Sequence, residues 1–403
     1  MSTCYRCESP IFESRFIKPL TDIDPKSEPP DSPDFRPRPR FGSGAIVAVA
    51  LLTAVYGWLG FTSSSVTDYS VDALQISNGW ADERSCVECH EQAETFHETG
   101  HARTLRAADS PRSLELLRSL QLDLSGDQSI SVEQNVDGIT AVNSTGNVQR
   151  RLKLDWCFGS GSHAHTWVST LPDSQDSSEL LEFHWTWFRD KQGFDITPGQ
   201  SLRNGNGNSA VSAFGLMFDG PRAQRCFSCH TTKMQVKDGR IHEDSIMPGV
   251  TCQRCHGPRG MHVESGGEFR DLAWKPQDRA EAVGRCANCH RWPDEQEPHE
   301  INTTNIDIVR FQPVGLLQAK CYTESDMTCT TCHDPHRPMS RQDSKGLWQC
   351  LQCHSSDDSE HTRCAAGMSD RCLDCHMPPV KMEAALSFTD HWIRVREPSE
   401  PTP

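Results

Sequence analysis

Apolar and polar residues alternate over one long section of this chain. Between Ser129 and Thr170 the segments ISVEQNVDGITAV and VQRRLKLDW keep a period of two, with turn signals at Asp137-Gly138 and Thr145-Gly146. That pattern predicts short antiparallel strands, in a β-rich section of about residues 125–222. A second pattern is continuous rather than alternating: Gly42 to Phe61, GSGAIVAVALLTAVYGWLGF, holds 20 uncharged residues. This is long enough to cross a bilayer. Arg36, Arg38 and Arg40 precede it, the first charges after it are Asp68 and Asp72, and Trp58 sits at an interfacial position. The charge bias predicts a single-pass anchor in the cytoplasmic membrane, with everything after Phe61 on the periplasmic side. A cleaved signal peptide is the rival reading, but the polar leader is long and no A-x-A-type site follows.

The polar, Pro-rich residues 1–41 read as a disordered cytoplasmic tail, 62–85 as a linker and 397–403 as a closing tail. Residues 86–396 remain as one Cys- and His-rich domain. From Cys226 onward the pattern predicts short helices and loops broken by Gly and Pro, with little strand.

Composition makes an ordinary core hard to build, since only 35% of the 403 residues are apolar. Nineteen cysteines and eighteen histidines point to metal or a bulky cofactor as the missing buried material. The formal charge of −15 excludes the basic surface that nucleic acid rewards.

The cysteines are not scattered. Cys-x-x-Cys-His occurs seven times: Cys86, Cys89 and His90; Cys226, Cys229 and His230; Cys252, Cys255 and His256; Cys286, Cys289 and His290; Cys329, Cys332 and His333; Cys350, Cys353 and His354; Cys372, Cys375 and His376. Chance at this composition gives about 0.04 copies, and the pattern is the c-type haem attachment signature. Two thiols at this spacing reach the two vinyl groups on one edge of a haem, and the next residue turns an imidazole onto the iron. Zinc sites also use Cys-x-x-Cys, yet they need two further ligands per metal and no fixed following histidine. A disulfide framework likewise leaves the histidine unexplained. Seven covalent haem c groups are therefore expected, with their faces supplying the core.

Eleven histidines lie outside the motifs: His97, His101, His163, His165, His184, His242, His262, His299, His336, His361 and His391. They suffice for a second axial ligand on every iron. The candidates for that distal position are His262, His336 and His391, followed by His101 and His361, and Met327 is an unmarked alternative. Five cysteines are also left over. Cys321 and Cys364 each precede a motif by eight residues and are suggested to pair, Cys157 stands alone, and Cys4 and Cys7 form CYRC in the tail.

The phrases CQRCHGPRGMH, CTTCHDPH with Cys321 upstream, CLDCHMP with a late His391, and FGSGSHAHTW resemble the exported multihaem cytochromes c. The group in question is related to the tetrahaem electron acceptor of hydroxylamine oxidoreductase, within the nitrite reductase and octahaem cytochrome superfamily. The resemblance implies a mainly α and irregular fold around stacked and perpendicular haems, with a small antiparallel β section between the first and second motifs. It also implies that motif histidines are proximal ligands and that His262, His336 and His391 are distal ones. Nitrite reductases of that superfamily attach their catalytic haem through a motif ending in Lys, which none of the seven does. Hydroxylamine oxidoreductases cross-link a tyrosine to the haem, and Tyr322 alone lies in the haem domain here.

The expected role is electron relay between a membrane or periplasmic donor and a redox partner protein, with the quinone pool as a candidate partner. The alternative is an oxidoreductase acting on a small nitrogen or sulfur oxyanion at a five-coordinate iron, with His163, His165 and Arg189 as unmarked candidates for proton or charge donation.

Overall fold

The computed structural model describes residues 79–124, 127–171, 179–200, 213–270, 278–339, 345–354, 371–382 and 386–396. Within that range the strands are β1 (Leu105–Ala107), β2 (Gln121–Asp123), β3 (Gln128–Asn135), β4 (Gly138–Thr145), β5 (Val148–Leu154), β6 (Trp156–Phe158), β7 (Ala164–Leu171), β8 (Glu179–Phe188), β9 (Gly193–Ile196), β10 (Gly215–Phe218), β11 (Thr231–Lys237), β12 (Arg240–Pro248), β13 (Pro379–Lys381) and β14 (Ser387–Thr389).

The first ten strands form two antiparallel sheets. One runs β2-β3-β4-β5, and the other runs β1-β6-β7-β8-β10 with β9 also on β8. The turn after β3 pairs Asn135 with Gly138, and the turn after β4 pairs Thr145 with Val148. Inward side chains of both sheets share one core: Ile130, Ile139 and Ala141 from the smaller sheet meet Trp167, Leu181, Phe183 and Trp185 from the larger. The helix Pro111–Leu117 closes this core with Leu116 and Leu117. Trp167 is fully buried and donates its indole N–H to Ser113 Oγ at 2.7 Å. Side chains of this size stabilise by about 1.5–3 kcal/mol each when fully buried.

Past residue 219 the elements become short. Helices cover Gly220–His230, Cys252–His256, Arg279–His290, Cys329–Cys332, Lys345–Cys353 and Cys372–His376. Two have carboxylate N-caps: Asp219 accepts from the Arg222 N–H at 3.2 Å and Asp278 from the Glu281 N–H at 2.8 Å. The Gly220–His230 helix is seated on the larger sheet, with Phe227 edge-on to Trp156 and Phe158 at 6.1 and 5.2 Å. The β section therefore carries the second motif directly.

Two expectations need correction. The fold is mixed rather than mainly α and irregular, because antiparallel pairs recur after the second motif as β11–β12 and β13–β14. The turn of the first hairpin is Asp238-Gly239, with φ of 52° and 74°. Two successive residues at positive φ match the twist of paired strands, which is why Asp-Gly marks a hairpin. The signal is local to the sequence VKDGRIH.

The single-pass placement in the cytoplasmic membrane is also overturned, since no helix among the described residues is long and apolar enough to cross a membrane. The expected anchor, Gly42–Phe61, lies outside the described residues, as do the tail with Cys4 and Cys7.

Candidate haem-binding site

Each motif uses local helix geometry in the same way. Six of the seven cysteine pairs lie within the last turns of a helix, where positions i and i+3 share a face. The first pair spans the end of the 3-10 helix Glu83–Glu88. In each case the histidine follows at or just beyond the helix end. Two thiols and an imidazole thus leave the backbone from one short turn.

Among the described residues, the tertiary structure sets four of these histidines opposite a histidine from outside the motifs. His90 faces His262, with ring centres 6.2 Å apart. His290 faces His101 at 6.2 Å. His256 faces His336, and His333 faces His391, both at 6.1 Å. A histidine nitrogen sits about 2 Å from a first-row metal, so two imidazoles on opposite sides of one iron have centres roughly 6–6.5 Å apart. The ring planes cross at angles from 17° to 78°. Rotation about a shared axis leaves the separation unchanged, so this spread fits axial ligation as well as the distances do.

The outer nitrogens are held as metal ligands require. His262 Nδ1 donates to the Phe269 carbonyl at 2.8 Å, His391 Nδ1 to Thr389 O at 2.9 Å and His376 Nδ1 to Arg394 O at 3.0 Å. His290 Nδ1 meets Gln312 Oε1 at 3.0 Å, and His230 Nδ1 meets the Thr104 hydroxyl at 2.6 Å. A carbonyl can only accept, so where it is the partner the proton sits on Nδ1 and the lone pair on Nε2, facing inward. Burial lowers the pKa of His101, His230, His256, His290 and His333, and brings His391 to about 4. All six are neutral near pH 7, the form that binds iron.

The thiols of different motifs touch. Cys86 contacts Cys252, Cys229 contacts Cys289, and Cys286 contacts Cys329. The neighbouring Cys289 thiol lowers the pKa of Cys229, while burial pushes Cys226 up to about 11. Bonded to vinyl groups, these sulfurs would no longer titrate. Large apolar side chains lie exposed around the same places: Val87 inside the first motif, Met261 and Val263 beside His262, and Phe269 at its hydrogen-bond partner. A flat apolar group between the rings would cover them. The residues therefore fit haem.

The comparisons agree. The family model described as "Cytochrome c554 and c-prime" matches residues 200–257, which hold the second and third motifs. The dissimilatory sulfite reductase MccA of Wolinella succinogenes is 20% identical over 80% of this chain and 54% of its own length. The multiheme cytochrome MtrA of Shewanella baltica is 23% identical over 33% of this chain and 53% of its own length. The chain is similar to multihaem c-type cytochromes. It spans about half the length of the curated relatives it matches. A solved structure, the outer cell wall cytochrome OcwA, is similar at a TM-score of 0.42 and 13% identity, covering 78% of this chain and 79% of that one.

Other residues singled out in the sequence fall elsewhere. His165 is buried in the β section with its Nδ1 3.7 Å from Cys157 Sγ, whereas His163 and Arg189 are exposed and adjoin each other, the Arg189 N–H donating to His163 O at 2.8 Å. His184 is buried on β8 with Nδ1 2.9 Å from Gln200 Oε1. His97, His242 and His299 are exposed. Tyr322 is a core residue under the Arg279 guanidinium, 4.3 Å from its ring centre. Cys321 lies in the electrostatic reach of Cys332 and Cys353, and its suggested partner Cys364 is outside the described residues, as is His361. Sequence reasoning missed Gln312, Thr104 and Phe269 as supports of the imidazoles, because nothing local marks a residue that meets a histidine only through the fold.

Proposed function

We propose that this cytochrome attaches seven haem c groups and relays electrons between redox partner proteins. When bound, haem supplies a reversible one-electron couple. The chain's own work is to hold, space and insulate. Fourteen motif cysteines attach, seven motif histidines serve as proximal ligands, and His262, His101, His336 and His391 serve as distal ligands to the first, fourth, third and fifth motifs. The observation that carries the relay is the thiol contact between motifs: Cys86 with Cys252, Cys229 with Cys289, and Cys286 with Cys329. Groups attached at touching sulfurs have neighbouring edges, which favours transfer along the series. The fourth motif touches both the second and the fifth, so it would act as a junction.

The narrower kinship, to the group around the electron acceptor of hydroxylamine oxidoreductase, is supported by the short phrases quoted above and by the match over residues 200–257. A second reading, reduction of a small sulfur or nitrogen oxyanion, is supported by the match to a dissimilatory sulfite reductase over 80% of this chain.

One experiment separates the two. Mass spectrometry of the mature protein should give seven haem additions, and its ferric electron paramagnetic resonance should be low-spin and unchanged by sulfite, nitrite or hydroxylamine. A stoichiometric high-spin signal that shifts with sulfite would favour the reductase. No added haem mass would end both readings.

A further inference from the structure

Two of the haem sites share one piece of backbone. The C-terminal strap, residues 390–394, presents His391 to His333 and at the same time offers the Arg394 carbonyl to His376 Nδ1 at 3.0 Å. Its shape depends on Asp390, a carboxylate only 5% exposed. One Asp390 oxygen accepts from the Trp392 N–H at 2.8 Å, and the other from Arg394 Nη1 at 2.8 Å and from Arg396. The Asp390 N–H donates to Pro378 O at 3.0 Å, two residues beyond His376. A buried carboxylate with this many donors fixes the loop it caps.

The strap is also backed from outside. Gly315, on the helix Gln312–Gln318, lies so close that a β-carbon there would come 2.7 Å from Trp392 N and 3.0 Å from the His391 carbonyl carbon. Both are backbone atoms, so the strap would have to move.

We infer that Asp390 and Gly315 are positioning residues that set the axial imidazoles of two haem sites together, His391 of one and His376 of the other. The inference rests on the proposed ligation. Hydrogen bonding at Nδ1 raises the basicity of a ligating imidazole and so favours ferric iron. Loosening the strap weakens the Arg394 contact and displaces His391, and both sites become easier to reduce.

The test is a spectroelectrochemical titration of the holoprotein and of two variants, with haem content measured by pyridine haemochrome. In Asp390→Asn, two redox components should move to higher potential together while the rest stay. Gly315→Ala changes no charge and should move the same two. Movement of one component, of none, or of all equally overturns the inference. So does a shift in Asp390→Asn with none in Gly315→Ala, which would be a charge effect alone. Haem loss in both variants also overturns it, since the strap would then serve assembly. A wild-type protein without haem would instead sink the functional reading beneath it.

Discussion

The β section and the motif-bearing region solve the same problem with different materials. The β section gathers Trp167, Phe183, Trp185, Trp187 and Phe214 in one buried cluster, and its described residues expose few large apolar side chains, such as Val136 at a hairpin tip. Among the described residues after 219, one small cluster gathers Val283, Leu316, Ala319 and Tyr322. The same region leaves Met339 and Trp348 at 72% and 59% exposure. One half packs itself from side chains. The other brings cysteines and histidines into register and leaves apolar surface beside them, as expected where porphyrin faces complete the core.

The strongest way to break this contrast is to withhold the cofactor. Protein made without haem attachment should keep the β section and lose the motif region. Limited proteolysis should leave a fragment of about residues 104–218 while cutting freely beyond it. Equal resistance in both regions would show that the second half packs without porphyrin.

A smaller effect is expected from the β core itself. Trp167→Ala removes a fully buried ring and its bond to Ser113, and should cost about 3–5 kcal/mol in denaturant unfolding. Redox potentials should not move, except at the second motif, which the larger sheet carries.

Acid should act on the β section through His165. Burial, with help from Arg106 and Arg112, pushes its imidazolium pKa down to about 4 from the usual 6.5. Above about pH 6.5 the ring is neutral folded or unfolded, and there is no contribution. As pH falls from about 6.5 to 4 the unfolded chain takes a proton that the folded one refuses. Stability then drops by up to about 1.4 kcal/mol per pH unit. Replacing His165→Phe should flatten this slope in pH-dependent unfolding, and an unchanged slope would show another group is responsible.

The smallest change is on the sheet surface. Arg151 on β5 and Glu133 on β3 pair across the intervening β4, with about half of each side chain exposed. Pairs of this kind add little once solvent screens them. Arg151→Ala should leave the melting temperature within error, and a clear fall would give the surface a larger share than the core argument allows.

Legibility in the sequence followed the range of the interaction. The strands between Gln128 and Leu154 were readable because alternation and Asp-Gly or Thr-Gly turns act over a few residues. The β11–β12 hairpin carries the same kind of signal at Asp238-Gly239. The imidazole supports were not readable at all: Thr104 meets His230 across 126 positions.

The chain alone determined where haem is expected to attach, because two thiols and an imidazole within five consecutive residues are a local chemical unit. Only the tertiary structure decided which histidines face each other. His262 follows His256 by six residues yet stands opposite His90, and His336 follows His333 by three yet stands opposite His256. A few residues of chain cannot reach around a porphyrin to its far face. The second imidazole has to arrive from another segment, and folding alone chooses which.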